Sequence, residues 1–92
     1  DSFFTVLGRP NDAEAARLGL TISRRAAKRA VDRNRLKRIA REAFRTTAGL
    51  PAWDFVVLAK PLAAATESRS LRRSLDGHFE RLKQKASVMR HG

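Results

Sequence analysis

Apolar residues along this 92-residue chain follow two periods, and the switches between them predict five elements. Ser2–Leu7 (SFFTVL) is rich in aromatic and β-branched residues and stops at GRPND, a turn signal. Ala16–Ser23 (ARLGLTIS) alternates: Leu18, Leu20 and Ile22 face one way, and Arg17, Gly19, Thr21 and Ser23 the other. That is the pattern of a half-buried strand. The two strands are expected to pair as an antiparallel hairpin across a loop around residues 9–15. From about Ala30 to Arg45 the period becomes helical. At 100° per residue, Leu36, Ile39, Ala40, Ala43 and Phe44 share one arc, and Asn34, Lys37, Arg38, Arg41 and Arg45 the opposite one. Arg33 falls at the edge of the apolar arc and Val31 on the polar side. Gly49 and Pro51 end this helix.

Trp53–Lys60 (WDFVVLAK) is apolar on both alternations from Phe55 to Ala59, which predicts a central strand covered on both faces and closed by Pro61. After a small-residue linker, LAAA, Thr66 or Ser68 can cap a last helix running to about Lys85. Leu71, Leu75, Phe79, Leu82 and Ala86 form its apolar face, with His78 among them. Residues 87–92 read as a frayed tail. The order strand, strand, helix, strand, helix predicts one domain of the α+β class, a small sheet with helices packed on it.

Charge changes the picture. The formal net charge is +11 and the sequence pI about 11.7. Such an excess works against compactness by self-repulsion and points to a polyanionic partner, either nucleic acid or an anionic membrane surface. No segment has the length and apolarity of a membrane span, and no signal-peptide pattern is visible. The absence of Cys excludes disulfides, thiolate metal sites and a Cys nucleophile, and suits a cytosolic protein. The chain opens at Asp1, directly before an apolar segment, and further residues are expected to precede it.

Half of the twenty basic residues lie between Arg24 and Arg45, against only Asp32 and Glu42. Most charge runs are simply solvated helix faces. Here, though, Asn34, Lys37, Arg38, Arg41 and Arg45 converge on one stripe with no carboxylate among them, so few i,i+4 pairs soften the repulsion. Arginine offers planar, bidentate contacts to phosphate, which a membrane-surface helix does not require. The opposite arc has only Phe44 as an aromatic, and its alanines suit packing on a sheet better than insertion into lipid. Nucleic acid is therefore favoured. Dense Arg with little Asn or Gln favours phosphate contacts over base readout, and the flanking turns do not frame a helix-turn-helix, so RNA is favoured over DNA.

Aromatics at Phe3, Phe4, Trp53 and Phe55 could stack an unpaired base only if exposed. Phe55 and Phe79 read as core. Phe3 and Phe4 are adjacent, so only one of them can face inward on a regular strand. Candidate catalytic chemistry is lacking. His78 reads as a packed histidine, and Asp54, Glu67, Asp76 and Glu80 show no spacing for acid–base work or a metal cage. The glycines form no phosphate loop.

RLGLTISRRAAKRAVDRNRLKRIAREAFR closely resembles the protein subunit of bacterial ribonuclease P, whose hallmark is an RNR segment, here Arg33-Asn34-Arg35. The resemblance extends through WDFVVLAKP and LRRSLDGHFERL, from about Ser2 to Leu82. It implies an α-β-β-α-β-α fold with a left-handed β-α-β crossover, and a ribonucleoprotein endonuclease that removes the 5′ leader of precursor tRNA. By this resemblance the RNA subunit holds the catalytic centre and its Mg²⁺, and the protein binds ribonuclease P RNA and the leader. The RNA-binding set is then Arg33, Asn34, Arg35, Lys37, Arg38, Arg41 and Arg45, with Arg24, Arg25, Lys28 and Arg29 preceding it. Phe3 or Phe4, Arg17 and Thr21 are expected near a leader cleft on the sheet. The family's N-terminal helix, one wall of that cleft, has no counterpart in the residues given, so exposed apolar sheet there could promote self-association. The competing reading is a structural ribosomal protein or general RNA chaperone.

Overall fold

The computed structural model describes the backbone of residues 1–91 and the side chains of residues 1–88. Three strands, β1 (Phe4–Pro10), β2 (Arg17–Thr21) and β3 (Trp53–Ala59), combine with α1 (Ala30–Thr46), a four-residue α2 (Pro61–Ala64) and α3 (Ser68–His91). The sheet order is β1-β3-β2, with β1 antiparallel and β2 parallel to β3. The expected β1–β2 hairpin therefore does not form. β3, the strand with apolar residues on both alternations, takes the place with two neighbours, and the more polar β1 and β2 take the edges. Asn11 still donates its N–H to the Ala52 carbonyl at 3.1 Å, so the following loop passes the start of β3 to reach its other side.

β1 runs past the predicted turn because Gly8, Arg9 and Pro10 continue the ladder opposite Phe55, Asp54 and Trp53. Gly8 lets two rings approach the strand closely: a Cβ there would stand 3.1 Å from the Trp53 ring and 3.2 Å from that of Phe55, so those rings would have to give way by a few tenths of an ångström. Pro10 lacks an N–H and is tolerated at the end of an edge strand. At the far end of α1, Gly49 takes φ +78°, a left-handed turn that glycine adopts without strain.

Both long helices lie on one face of the sheet. Leu36, Ile39, Ala40 and Ala43 of α1 and Leu71, Leu75, Phe79 and Ala86 of α3 are buried against Phe4, Trp53, Phe55 and Val57. Phe44, Phe55 and Phe79 meet edge to face with centroids 5.9–6.0 Å apart, and Trp53 stacks on Phe55 at 6.2 Å. Burial of each large side chain contributes about 1.5–3 kcal/mol, and the aromatic contacts add to it. The other face of the sheet is open, so β3 is covered on one face only. Its Asp54, Val56 and Leu58 are half-buried, where the sequence suggested full cover.

The LAAA linker forms α2, because Pro61 has the backbone angle of a first helical turn and no N–H to satisfy. α3 remains helical through His91, beyond the expected end near Lys85, and Gly92 lies outside the described residues.

Candidate nucleic-acid interface

α1 divides its circumference as its sequence predicts. The inner arc is core, and Asn34, Arg38, Arg41 and Arg45 are exposed, with Lys37 half-buried beside them. None of these cations enters a salt bridge among the described residues. Lys37 and Arg41 also rim a groove of about 400 Å³ floored by Leu18, Leu20 and Phe44, between α1 and the β2 edge. Arg24, Arg25, Lys28 and Arg29 are exposed in the loop that enters α1, extending the cationic surface past the helix start. Lys28 and Arg29 thus lie at the end of α1 where the helix dipole favours anions, and Asp32 is the one acid in the first turn.

Two members of the predicted RNA-binding set are tied to the fold. Arg33 Nη1 donates to the Ala27 and Lys28 carbonyls at 2.9 and 3.0 Å. Arg35 Nη1 donates to the Thr66 carbonyl and Ser68 Oγ, and its Nη2 to the Ala64 carbonyl, each at 3.1 Å. Arg35 therefore fastens α1 to the α2–α3 junction. Arg72, which the sequence did not single out, fastens the other end: it reaches Asp76 at 3.2 Å, Glu42 at 3.7 Å, and the Thr46 hydroxyl. Within RNR, Asn34 alone is exposed.

The leader-cleft candidates separate. Phe4 is wholly buried on the helix side, so no base can stack on it; the pairing of Phe4 with Ala59 turns its ring inward. Phe3 is half-buried and packs at the margin of the core. Arg17 and Thr21 do lie on the open face, in three rows set by the strand register: Thr5, Leu58 and Thr21; Leu7, Val56 and Gly19; Arg9, Asp54 and Arg17. Leu7 is 56% exposed there. In the third row Arg17 grips Asp54 with bonds of 2.9 and 3.3 Å, and Asn11 Nδ2 adds a third at 2.9 Å. Those bonds, with the charge of nearby Arg9, hold the Asp54 carboxyl below the usual carboxylate range. Arg9 was missed because the turn signal at Gly8 ended the predicted strand too early, and Leu7, inside that strand, was given no face. The alternation Thr5, Leu7, Arg9 identifies them once Phe4 is placed inside.

His78 is not disposed for general-base work. Burial pushes its pKa down to about 4, helped by the charges of the Asp1 ammonium, Arg81 and Lys60. Arg81 stands 3.2 Å from Nδ1 and can donate to it, which places the ring proton on Nε2. Nε2 lies 3.2 Å from the Asp1 carboxylate, in poor alignment for a hydrogen bond. Among the described residues, no three His, Cys, Asp or Glu side chains gather as a metal site. No helix there is long and apolar enough to cross a membrane.

What these features define is a small α+β domain with one cationic helix face and one open sheet face. The family model for Ribonuclease P matches residues 1–83, and the chain belongs to that family. It is 46% identical over 88 residues to the ribonuclease P protein component of Methylococcus capsulatus, covering 95% of this chain and 69% of that protein. The corresponding component of Thioalkalivibrio sulfidiphilus is 45% identical over 83 residues, 89% of this chain and 69% of the relative. Among solved structures, the Staphylococcus aureus RNase P protein superposes with TM-score 0.79 at 28% identity, covering 89% of this chain and 75% of that one. The Thermotoga maritima RNase P protein gives 0.77 at 30% identity, covering 88% and 80%.

Proposed function

We propose that this chain is the RNA-binding subunit of a ribonuclease P, which assists a catalytic RNA in removing the 5′ leader of precursor tRNA. The observation that carries the reading is the outer stripe of α1. Among the described residues its cations Lys37, Arg38, Arg41 and Arg45 have no carboxylate partners, in a chain of net charge +11 that belongs to this family. Like charges so arranged cost stability until a phosphate backbone neutralises them. In this reading the catalytic centre and its Mg²⁺ belong to the RNA, and the protein supplies phosphate contacts.

The open sheet face suits a single-stranded leader. Leu7, Val56 and Leu58 offer apolar area to bases, and Thr5 and Thr21 offer hydroxyls. Arg9 adds a cation at one end, beside the Arg17–Asp54 pair. The reading is tested by adding the full-length protein to its RNA subunit at low Mg²⁺ and measuring 5′ processing of precursor tRNA. Processing is expected to increase. No stimulation would sink this function and leave a structural ribosomal or RNA-chaperone role as the better account.

A further inference from the structure

The loop joining β2 to α1 carries four exposed cations, Arg24, Arg25, Lys28 and Arg29, yet it is closed by internal bonds. Ser23 closes one end: its Oγ accepts the Ala26 N–H at 3.1 Å, and its carbonyl accepts the Ala27 N–H at 3.0 Å. Ala26 and Ala27 are both buried. Arg33, one turn into α1, closes the other end. A single nitrogen, Nη1, bonds the successive carbonyls of Ala27 and Lys28. That clasp restrains the peptide units from which Lys28 and Arg29 depart.

Four like charges in six positions repel one another, and two of them also oppose the dipole of α1. A loop free to move would spread them apart. The buried alanines, the Ser23 turn and the Arg33 clasp hold them together instead. An array held this way meets several phosphates without first losing conformational freedom.

We propose that Arg33 is a positioning residue: it fixes the Ser23–Arg29 loop so that Arg24, Arg25, Lys28 and Arg29 meet RNA phosphates together, and its own guanidinium contacts no RNA. The proposal rests on the RNA-binding reading above. It assigns one arginine of the RNR segment to organising the loop, not to the interface itself.

The test compares the full chain with Arg33→Gln, Ser23→Ala and Arg41→Ala. Binding to a transcribed bacterial ribonuclease P RNA is measured against salt, and tryptic cleavage after Arg24 and Arg25 is followed in the free proteins below their melting temperatures. A lost phosphate contact lowers the salt slope by about one, the result expected for Arg41→Ala. Arg33→Gln should lower it by about two or more, because several contacts loosen at once, and should accelerate loop cleavage by about fivefold or more. Ser23→Ala removes no charge and should still lower the slope.

If Arg33→Gln lowers the slope by about one with cleavage unchanged, Arg33 is itself a phosphate contact and the proposal falls. Should Arg33→Gln fail to fold, Ser23→Ala decides alone, and an unchanged slope in that variant overturns the proposal. An unchanged slope in Arg41→Ala counts against the stripe as an RNA surface. It does not bear on the clasp, which the Arg33 and Ser23 variants judge.

Discussion

The outer face of α1 and the open face of the sheet are both exposed to solvent, but they are built on opposite plans. On α1, Lys37, Arg38, Arg41 and Arg45 have no carboxylate partner among the described residues, and Asn34 is the uncharged member of the stripe. On the sheet, Leu7, Val56 and Leu58 supply apolar area, and Asp54 already neutralises Arg17. Charge left unpaired supplies long-range attraction and a strong dependence on salt, with little demand on the shape of the partner. Half-apolar area with a satisfied ion pair supplies short-range contact that depends on fit. In the function proposed above, the first surface is the one assigned to a folded RNA backbone and the second the one assigned to an unpaired strand.

The widest separation between the two faces is expected from Lys37→Ala/Arg38→Ala/Arg41→Ala. Its affinity for a ribonuclease P RNA should fall by at least roughly tenfold and its salt slope by about two to three units, with melting temperature held. Filter binding across salt concentrations measures both, and an unchanged slope would erase the distinction drawn for α1. Arg35→Ala should do the reverse. Three hydrogen bonds to Thr66, Ser68 and Ala64 are lost, at a cost of about 1–3 kcal/mol in chemical unfolding, with the salt slope unaltered. A slope that fell while stability held would return Arg35 to the RNA surface.

The packed side is expected to show a pH dependence that neither exposed face shares. His78 titrates near 4 when folded and near 6.5 when unfolded, so the unfolded chain binds the extra proton first as pH falls. The stability that depends on the neutral ring is complete above about pH 6.5 and is lost progressively toward pH 4. Thermal melts of the wild type and His78→Gln across this range should diverge, the variant being flatter. Parallel curves would mean that the ring is hydrated in the folded chain.

How much of this was legible in the sequence depended on the range of the interaction. The division of α1 into Leu36, Ile39, Ala40 and Ala43 inside and Arg38, Arg41 and Arg45 outside follows from helical periodicity, and the central place of β3 from its double alternation. Strand partnership was misread because pairing Phe4–Pro10 with Trp53–Ala59 joins segments more than forty residues apart, and sequence adjacency favoured β2. The internal bonds of Arg33 and Arg35 were hidden for another reason. A guanidinium ends several bonds from its Cα, so the wheel gives the direction of departure and not the partner. Phe4 was one of two adjacent rings, and only the strand register distinguished them.

The position of β2 at the sheet edge has a consequence for the free protein. A five-residue strand with an unpaired side is a template on which a second copy can add a strand. Lys37 and Arg41 stand over the groove beside that edge and repel an approaching copy with the same cations. The cations that the proposed function assigns to RNA therefore also act as gatekeepers against edge-to-edge aggregation of the free protein. This protection weakens as salt rises, so solubility and RNA affinity should decline together along the same axis of ionic strength.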